Sequence, residues 1–516
     1  MQVTRCNYPV FTTNVQNAKI SGLGTDSTKR LIHHCGDQFH LKQVKDGPLF
    51  DNKTRNVLRK YELKPGEINR EVKYLDSIRY GGEKDPSQLF QQIERFQQAH
   101  APSFQWNKNY QRALRKVEKL TTPMIQRLKI LEYRSDEDIK DALPKPDAHS
   151  GFEFIVTGLK EKGMYIEGAR DHFEEELHQA RMRGSFCKPI ITLNRLQCSG
   201  AYDAEGNRTG ECKKKTRLVS AVDIWVVIAE LMWAKPFQRF MASRPWYVGG
   251  KKPWELRANV GHNRWHHKQW ISLDYSKFDQ SLPAWLIRDA FNIIWKCFQG
   301  CENWRWLWDI IVNDFIKKAF VGPDGTLFYA ENGVPSGSMF TQIIDSICNL
   351  IMVHTYFYSL EAKGHKISDF VCIICGDDNL VFLDFDVDFE DLEGYFKRNF
   401  GVECNASKCD RGAQTDDPVF LSRFWQNRGE WRLPKELIAK MLYPERFRPY
   451  RKNPQLTPEA IVYSYILAFP LGMEELIDVR RFMKDNVQYL RSWSSAIFEY
   501  QSGYLSYVMR YENSLL

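Results

Sequence analysis

The chain has 516 residues, of which 43% are hydrophobic and 26% charged, with a net charge of +8 at neutral pH. This is the balance of a soluble globular protein with room for two to four subdomains, and its modest basic excess favours a polyanionic partner if the Lys and Arg cluster. Residues 1–10 lack the apolar core of a secretory signal, and apolar runs such as 224–229 fall far short of the roughly 20 residues of a membrane span. Secreted and membrane classes are therefore set aside, and the 12 scattered Cys are read as free thiols of an intracellular protein.

The first 110 residues show little periodicity apart from a helix expected over 86–98, with Leu89, Ile93 and Phe96 on one side. Helices are expected over 112–120, 123–133 and 172–182, and a short strand over 154–157. Four cations then fall within five residues, Lys213, Lys214, Lys215 and Arg217, just before an apolar stretch. A solvated basic loop is one reading. The other is a phosphate clamp, since alternate residues Lys213, Lys215 and Arg217 of an extended segment project to one side. His262, His266 and His267 read as an ordinary polar loop. Residues 270–273 read as a strand with Asp274 at its end; Asp279 follows five residues on, before a helix over 285–295. An acidic residue at a strand end facing a cleft is a common ligand-binding position in α/β architecture.

A hairpin with a Pro-Asp-Gly turn is expected over 320–329. It leads into a Gly- and Ser-punctuated loop at 332–338 and a helix starting near Met339. That helix has an apolar face (Phe340, Ile343, Ile344, Ile347, Ile351) and a polar stripe four residues apart, Thr341, Asp345 and Asn349. The stripe is either a solvated face or a ligand-reading surface. Next, residues 370–374 and 380–383 read as two strands joined by Gly376-Asp377-Asp378-Asn379. Gly, Asp and Asn suit a tight turn, but two adjacent carboxylates repel, and magnesium prefers carboxylate oxygens. Cys372 and Cys375 form a C-x-x-C whose side chains would point to opposite faces of a strand, against a metal or redox site. A helix over 389–400, a lone Lys408, a strand-like segment over 419–425 and a helical C-terminal region from 434 complete the chain.

Basic clamp, D-x4-D, S-G-x3-T helix, G-D-D hairpin, lone lysine and short strand follow one another in the order found in viral RNA-dependent RNA polymerases, and over residues 210–425 the chain resembles that family. Residues 273–279 and 333–346 are similar to those of the small double-stranded RNA viruses, the partitiviruses and picobirnaviruses. One departure is Asp345, where the picornavirus-like pattern has Asn. The resemblance implies an α+β right-hand fold. Residues 111–223 would be fingers, 224–318 and 334–430 a palm with an antiparallel sheet flanked by helices, 319–333 a fingers insertion, and 431–516 a helical thumb. Residues 1–110 would link fingers and thumb.

The implied activity is template-directed nucleotidyl transfer from NTPs by two magnesium ions, or manganese in their place. Asp274 and Asp377 would bridge the ions, with Asp378 auxiliary and the Tyr275 carbonyl completing one shell. Lys213, Lys215 and Arg217 would hold the triphosphate, and Lys408 would protonate pyrophosphate. Asp279, Ser336, Gly337, Thr341, Asp345 and Asn349 would select ribose. Asp279 and Asp345 would either share a proton or rely on Lys277. Expected partners are RNA template and product, NTPs and a viral capsid protein, with no membrane, in host cytoplasm and packaged in the virion. A reverse transcriptase is disfavoured because those enzymes carry a bulky aromatic where Asp279 stands. A non-enzymatic RNA-binding or capsid-associated protein is disfavoured by the intact carboxylates.

Overall fold

The apolar residues on either side of Gly376-Asp377 pair as a hairpin, Val371–Cys375 with Asp378–Leu383, in the register Cys375 to Asp378. Only Gly376 and Asp377 form the loop, so the second strand begins two residues earlier than the sequence suggests. Gly376 has φ 68°, the positive angle that the first position of a type II′ loop requires and glycine meets without strain. The computed structural model describes residues 25–39, 50–75, 86–97, 102–199, 213–251, 253–323, 325–426, 429–444, 450 and 456–499.

The hairpin is half of a four-stranded antiparallel sheet in the order Asp410–Ala413, Gln269–Leu273, Asp378–Leu383, Val371–Cys375. Along Val371–Cys375, alternate residues serve different cores. Cys372 and Ile374 join the main cluster, while Ile373 and Cys375 pack with Trp270, Phe382 and Trp425 on the other side. The two thiols thus part to opposite faces, as strand geometry demands.

Beneath the sheet runs Thr341–Ala362, a helix of 22 residues. It is apolar and long enough to span a bilayer, yet 94% of its most apolar window is buried inside the protein. The expected single apolar face is therefore too narrow. Asp345, Ser346 and Asn349 are buried as thoroughly as the isoleucines, because sheet, flanking helices and loop surround the helix on all sides.

A second four-stranded sheet runs Lys213–Ala221, Ile190–Ser199, Lys318–Val321, Leu327–Ala330, with the middle pair parallel and the others antiparallel. Of the N-terminal helices, Pro86–Gln97 packs on this sheet, Thr25–Phe39 on Glu153–Thr157, and Asn52–Tyr61 on the C-terminal helices. Residues Val57, Leu58, Tyr61, Ile68 and Val72 share a separate core with Leu437 to Trp493.

Several local expectations change. Residues 154–157 belong to a single helical turn, Glu153–Thr157, closed by Gly158 at φ 86°; four β-favouring residues are too few to form a strand without a partner to pair with. Residues 123–133 are extended. Their backbone pairs outward instead, Leu128 N–H to Cys297 O and Leu131 N–H to Met232 O. The histidines at 262 and 266 lie on the helix Pro253–His266 rather than in a loop. A turn through Leu421 and Ser422, both at positive φ, splits 419–425 into Val419–Phe420 and Arg423–Gln426.

Candidate active site

Sheet register brings the acidic residues together. Leu273 pairs with Asn379, so Asp274, the next residue, emerges beside Asp378 and the turn that carries Asp377. Solvent reaches both side chains of the turn, but protein crowds their remaining sides, and the shifts follow from that. Desolvation, then Asp377 and Asp274, raise Asp378 to about 8. Desolvation also raises Asp377, with Asp274 adding to the rise and Arg217 opposing it. Like charges held together in a poorly hydrated pocket each favour the neutral form of the other.

A polar network under the turn holds these carboxylates in place. Asn349, fully buried, accepts from the Tyr275 hydroxyl (3.0 Å) and from Asn379 Nδ2 (3.1 Å), and donates to the carbonyls of Gly376 (3.1 Å) and Asp377 (3.0 Å). Asn379 Oδ1 accepts from the Leu273 N–H at 3.2 Å, and Ser346 Oγ from the Gly376 N–H at 2.8 Å. All four hydrogen-bonding positions of Asn349 are thus taken. Expected in a ribose-reading stripe, it serves in the structure as an internal tie between helix, strand and turn. Tyr275 adds a buried hydroxyl to the same network. Its backbone pairs with Cys404.

Asp279 stands one turn beyond Asp274, after Lys277 adopts φ 56°. This left-handed conformation is costly for a non-glycine residue and reverses the chain tightly. Burial and Asp377 raise Asp279 to about 7, while a hydrogen bond from Asp345 and the charge of Arg217 lower it. Asp345, only 3% exposed, is held far above the usual carboxylate range by burial and by Asp279. A hydrogen bond between the two carboxyls lowers Asp279 and raises Asp345; Lys277 is exposed and forms no ion pair among the described residues. Asp345 Oδ1 has no hydrogen-bond partner. Thr341 Oγ1 donates to the carbonyls of Pro335 (2.7 Å) and Ser338 (2.9 Å), leaving its lone pairs able to accept.

The loop before this helix is fastened on two sides. Ser336 Oγ accepts the Ser220 N–H at 3.0 Å, and a Cβ on Gly337 would lie 2.2 Å from the Ser220 carbonyl, so only glycine fits there. Both residues join the loop to the strand that carries Arg217. From below, the buried carboxylate of Glu230 accepts from Ser338 Oγ (2.7 Å) and the Met339 N–H (2.8 Å). Lys318 secures the preceding stretch. Its buried Nζ lies 2.8–3.1 Å from the carbonyls of Phe315, Ile316, Asn332 and Gly333 and shares its N–H groups among them, and Val334 N–H meets the Asp279 carbonyl at 2.6 Å.

Lys213, Lys215 and Arg217 share the strand Lys213–Ala221, opposite Ser199, Gln197 and Arg195. The side chains of Lys213 and Lys215 lie outside the described residues. Arg217 is exposed and acts electrostatically on both Asp279 and Asp377. Lys408 is exposed in the short turn Ala406–Lys408. The residue that touches Asp274 from this segment is Asn405, whose Nδ2 donates to Asp274 Oδ1 at 2.7 Å. Asn405 stands between two motif positions as an unremarkable polar residue, and Glu230 lies inside an apolar run; neither carries a sequence signal. Asn379, by contrast, is visible in the turn itself.

Among the described residues no group of three or more His, Cys, Asp or Glu is gathered closely enough to hold a metal ion as it stands. The donor chemistry nevertheless suits a hard divalent cation: Asp274, Asp377 and Asp378 offer only oxygen, and the charge of Asp274 raises both Asp377 and Asp378, a repulsion that such an ion would relieve.

Comparison with known proteins accords with this geometry. Residues 89–446 match the model of the viral RNA-dependent RNA polymerases. The chain is 30% identical over 278 residues to the RNA-directed RNA polymerase of Cryptosporidium parvum virus 1 (strain KSU-1), covering 49% of this chain and 51% of that protein. It is 26% identical over 378 residues to the genome polyprotein of Human parechovirus 2 (strain Williamson), covering 68% of this chain and 16% of the polyprotein. The chain thus spans about half or less of the length of these relatives. The RNA-dependent RNA polymerase of a human picorbirnavirus superposes with a TM-score of 0.56 at 14% identity, over 98% of this chain and 90% of that one. An insertion-loop deletion mutant of a human picorbirnavirus polymerase superposes with a TM-score of 0.53 at 12% identity, over 98% and 94%. These two likenesses identify the fold as the right-hand polymerase architecture. With more than half of its length matched by the family model and its acidic motifs gathered at one end of the sheet, the chain belongs to the viral RNA-dependent RNA polymerases.

Proposed function

We propose that this chain copies an RNA template with ribonucleoside triphosphates, as the replicase and transcriptase of a double-stranded RNA virus. The observation that supports this most directly is the meeting of Asp274, Asp377 and Asp378 at one end of the sheet's two central strands, with Asp377 within electrostatic reach of Arg217. The primer 3′-oxygen bonds to the α-phosphorus as the bond to pyrophosphate breaks. Asp274, Asp377 and Asp378, with the Tyr275 carbonyl, would hold two magnesium ions, or manganese in their place, which when bound activate the 3′-hydroxyl and offset charge on pyrophosphate. Arg217, with Lys213 or Lys215, orients the triphosphate by charge-assisted hydrogen bonds. Lys408 gives a proton to the departing pyrophosphate.

Sugar selection falls to Asp279, Asp345 and Thr341. With the Thr341 hydrogen committed to the loop carbonyls, a 2′-hydroxyl can donate either to a carboxylate or to the threonine oxygen. A deoxynucleotide would leave a desolvated carboxyl unpaired, at about 1–3 kcal/mol, or roughly five- to a hundredfold in selection. Ser336 and Gly337 contribute by fixing the loop. Residues 111–223 and 319–333 are assigned to fingers, 224–318 and 334–430 to palm, 431–516 to thumb, and 1–110 to a link between fingers and thumb. Packaging with a capsid protein in host cytoplasm completes the reading.

The test is incubation with a viral RNA template, labelled NTPs and magnesium, with and without primer. Full-length product dependent on NTPs and not dNTPs supports the proposal, and no metal-dependent incorporation under either condition refutes it.

A further inference from the structure

Asp274 is held at three points by one short segment. Its carbonyl accepts the Asn405 N–H at 2.8 Å, its Oδ1 accepts Asn405 Nδ2 at 2.7 Å, and its own N–H reaches Cys409 Sγ at 3.5 Å. Next to it, Tyr275 pairs with Cys404, so residues 404–409 wrap the strand end from which Asp274 emerges. Asp274 is exposed, and an exposed aspartate ordinarily samples several rotamers. Here the Asn405 amide restrains it while occupying one lone pair of one oxygen. Oδ2 and the second lone pair of Oδ1 stay available.

We propose that Asn405 is a positioning residue that fixes the Asp274 carboxylate in the orientation from which it takes a divalent cation, and so sets the cation affinity of the site. The inference rests on the metal-dependent polymerase reading above. The physical ground is preorganisation: a ligand held by a neighbouring hydrogen bond loses no further rotamer freedom on binding, and a carboxylate that accepts such a bond is oriented by it. Loss of such a supporting contact typically weakens metal binding about 10- to 100-fold. Lys408 sits on the same segment and Lys408 N–H bonds the Asn405 carbonyl at 2.9 Å, so the turn that bears the proton donor is registered to the metal ligand through this one asparagine.

The test is manganese binding to the full chain, followed by the electron paramagnetic resonance signal of free Mn2+, for the parent, Asn405→Ala and Asp377→Asn. Asn405→Leu, close to isosteric and unable to donate, carries the test if the alanine variant fails to fold. Both Asn405 variants keep the backbone N–H to the Asp274 carbonyl, so the thermal midpoint should stay near the parent's. The expected result is a 10- to 100-fold weaker Mn2+ affinity, with a matching rise in the magnesium concentration needed for half-maximal incorporation. An affinity equal to the parent's overturns the proposal, and a tighter one overturns it too, because Asn405 would then be a latch against the cation. Asp377→Asn separates the two levels. If it weakens Mn2+ binding and the Asn405 variants do not, only the positioning role fails. If it has no effect, the metal-site reading fails.

Discussion

Replacing Asn349 with Ala should damage the site from beneath without touching any group that meets a nucleotide. The side chain is fully buried and makes four hydrogen bonds of 3.0–3.1 Å, two of them to the carbonyls of the Gly376-Asp377 loop. At about 0.5–1.5 kcal/mol net for each bond, the loss is about 2–6 kcal/mol. Water entering the space would place the value in the lower half of that range. The loss is local, so a melting curve of the whole chain is the less direct gauge. Native-state hydrogen exchange at the Leu273 and Gly376 amides is the local one, since they donate to Asn379 Oδ1 and Ser346 Oγ. A destabilisation of about 3 kcal/mol would speed their exchange roughly a hundredfold. Incorporation should fall severely with ribose preference intact in the residual activity. If exchange is unchanged while dNTP use rises, Asn349 reads the sugar and the reasoning is wrong.

Asp377→Ala or Asp274→Ala should abolish incorporation yet leave stability without divalent cation level or higher, because each removes like-charge repulsion; a fall in the cation-free melting temperature would count against this. Gly337→Ala forces a Cβ to within 2.2 Å of the Ser220 carbonyl, so it should cost about 1–3 kcal/mol and lower activity, seen by limited proteolysis of the loop and by rate. Arg217→Ala should raise the NTP concentration needed far more than it weakens RNA binding or its salt slope; the reverse pattern would mark a generic RNA-binding face. For Asp279, raised to about 7, the folded state holds a proton that the unfolded state has released above pH 4. Stability should therefore decline as pH rises from about 4 to about 7. Asp345→Asn keeps a donor toward Asp279 and removes one raised carboxyl, so it should retain ribose preference and flatten the melting profile from pH 5 to 8. A profile as steep as the parent's would refute the raised Asp345 carboxyl.

What the sequence disclosed and what it hid divide along a physical line. Asp274, Asp279, Asp377 and Asp378 were legible because their signal is local: a strand end, a following break, a two-residue loop with its obligatory glycine. Three strands of the sheet, 270–273, 370–374 and 380–383, were legible as short β-favouring runs, whereas Asp410–Ala413 was not. The framework under the site was hidden because its partners are distant in sequence. Asn349, Asn379 and Tyr275 meet only in the folded chain, and a polar residue every fourth position looks like a wetted face until three layers of structure close over it. Glu230 sits within an apolar run and reads as an interruption. Residues 123–133 have helical composition, but their backbone finds partners at Cys297 and Met232, and tertiary pairing outweighs a weak propensity.

The missing Cβ of Gly337 has a mechanical consequence. Where the Ser336-Gly337 loop presses on Ser220 and Val222 with no side chain between, the strand that bears Arg217 and the loop that leads to Thr341 are in direct backbone contact. On the proposed reading, a triphosphate that pulled on Arg217 would load the same contact as a sugar seated at Thr341. A poor fit at one end of the nucleotide would then be felt at the other, and fidelity would be a property of one lever rather than of two separate grips.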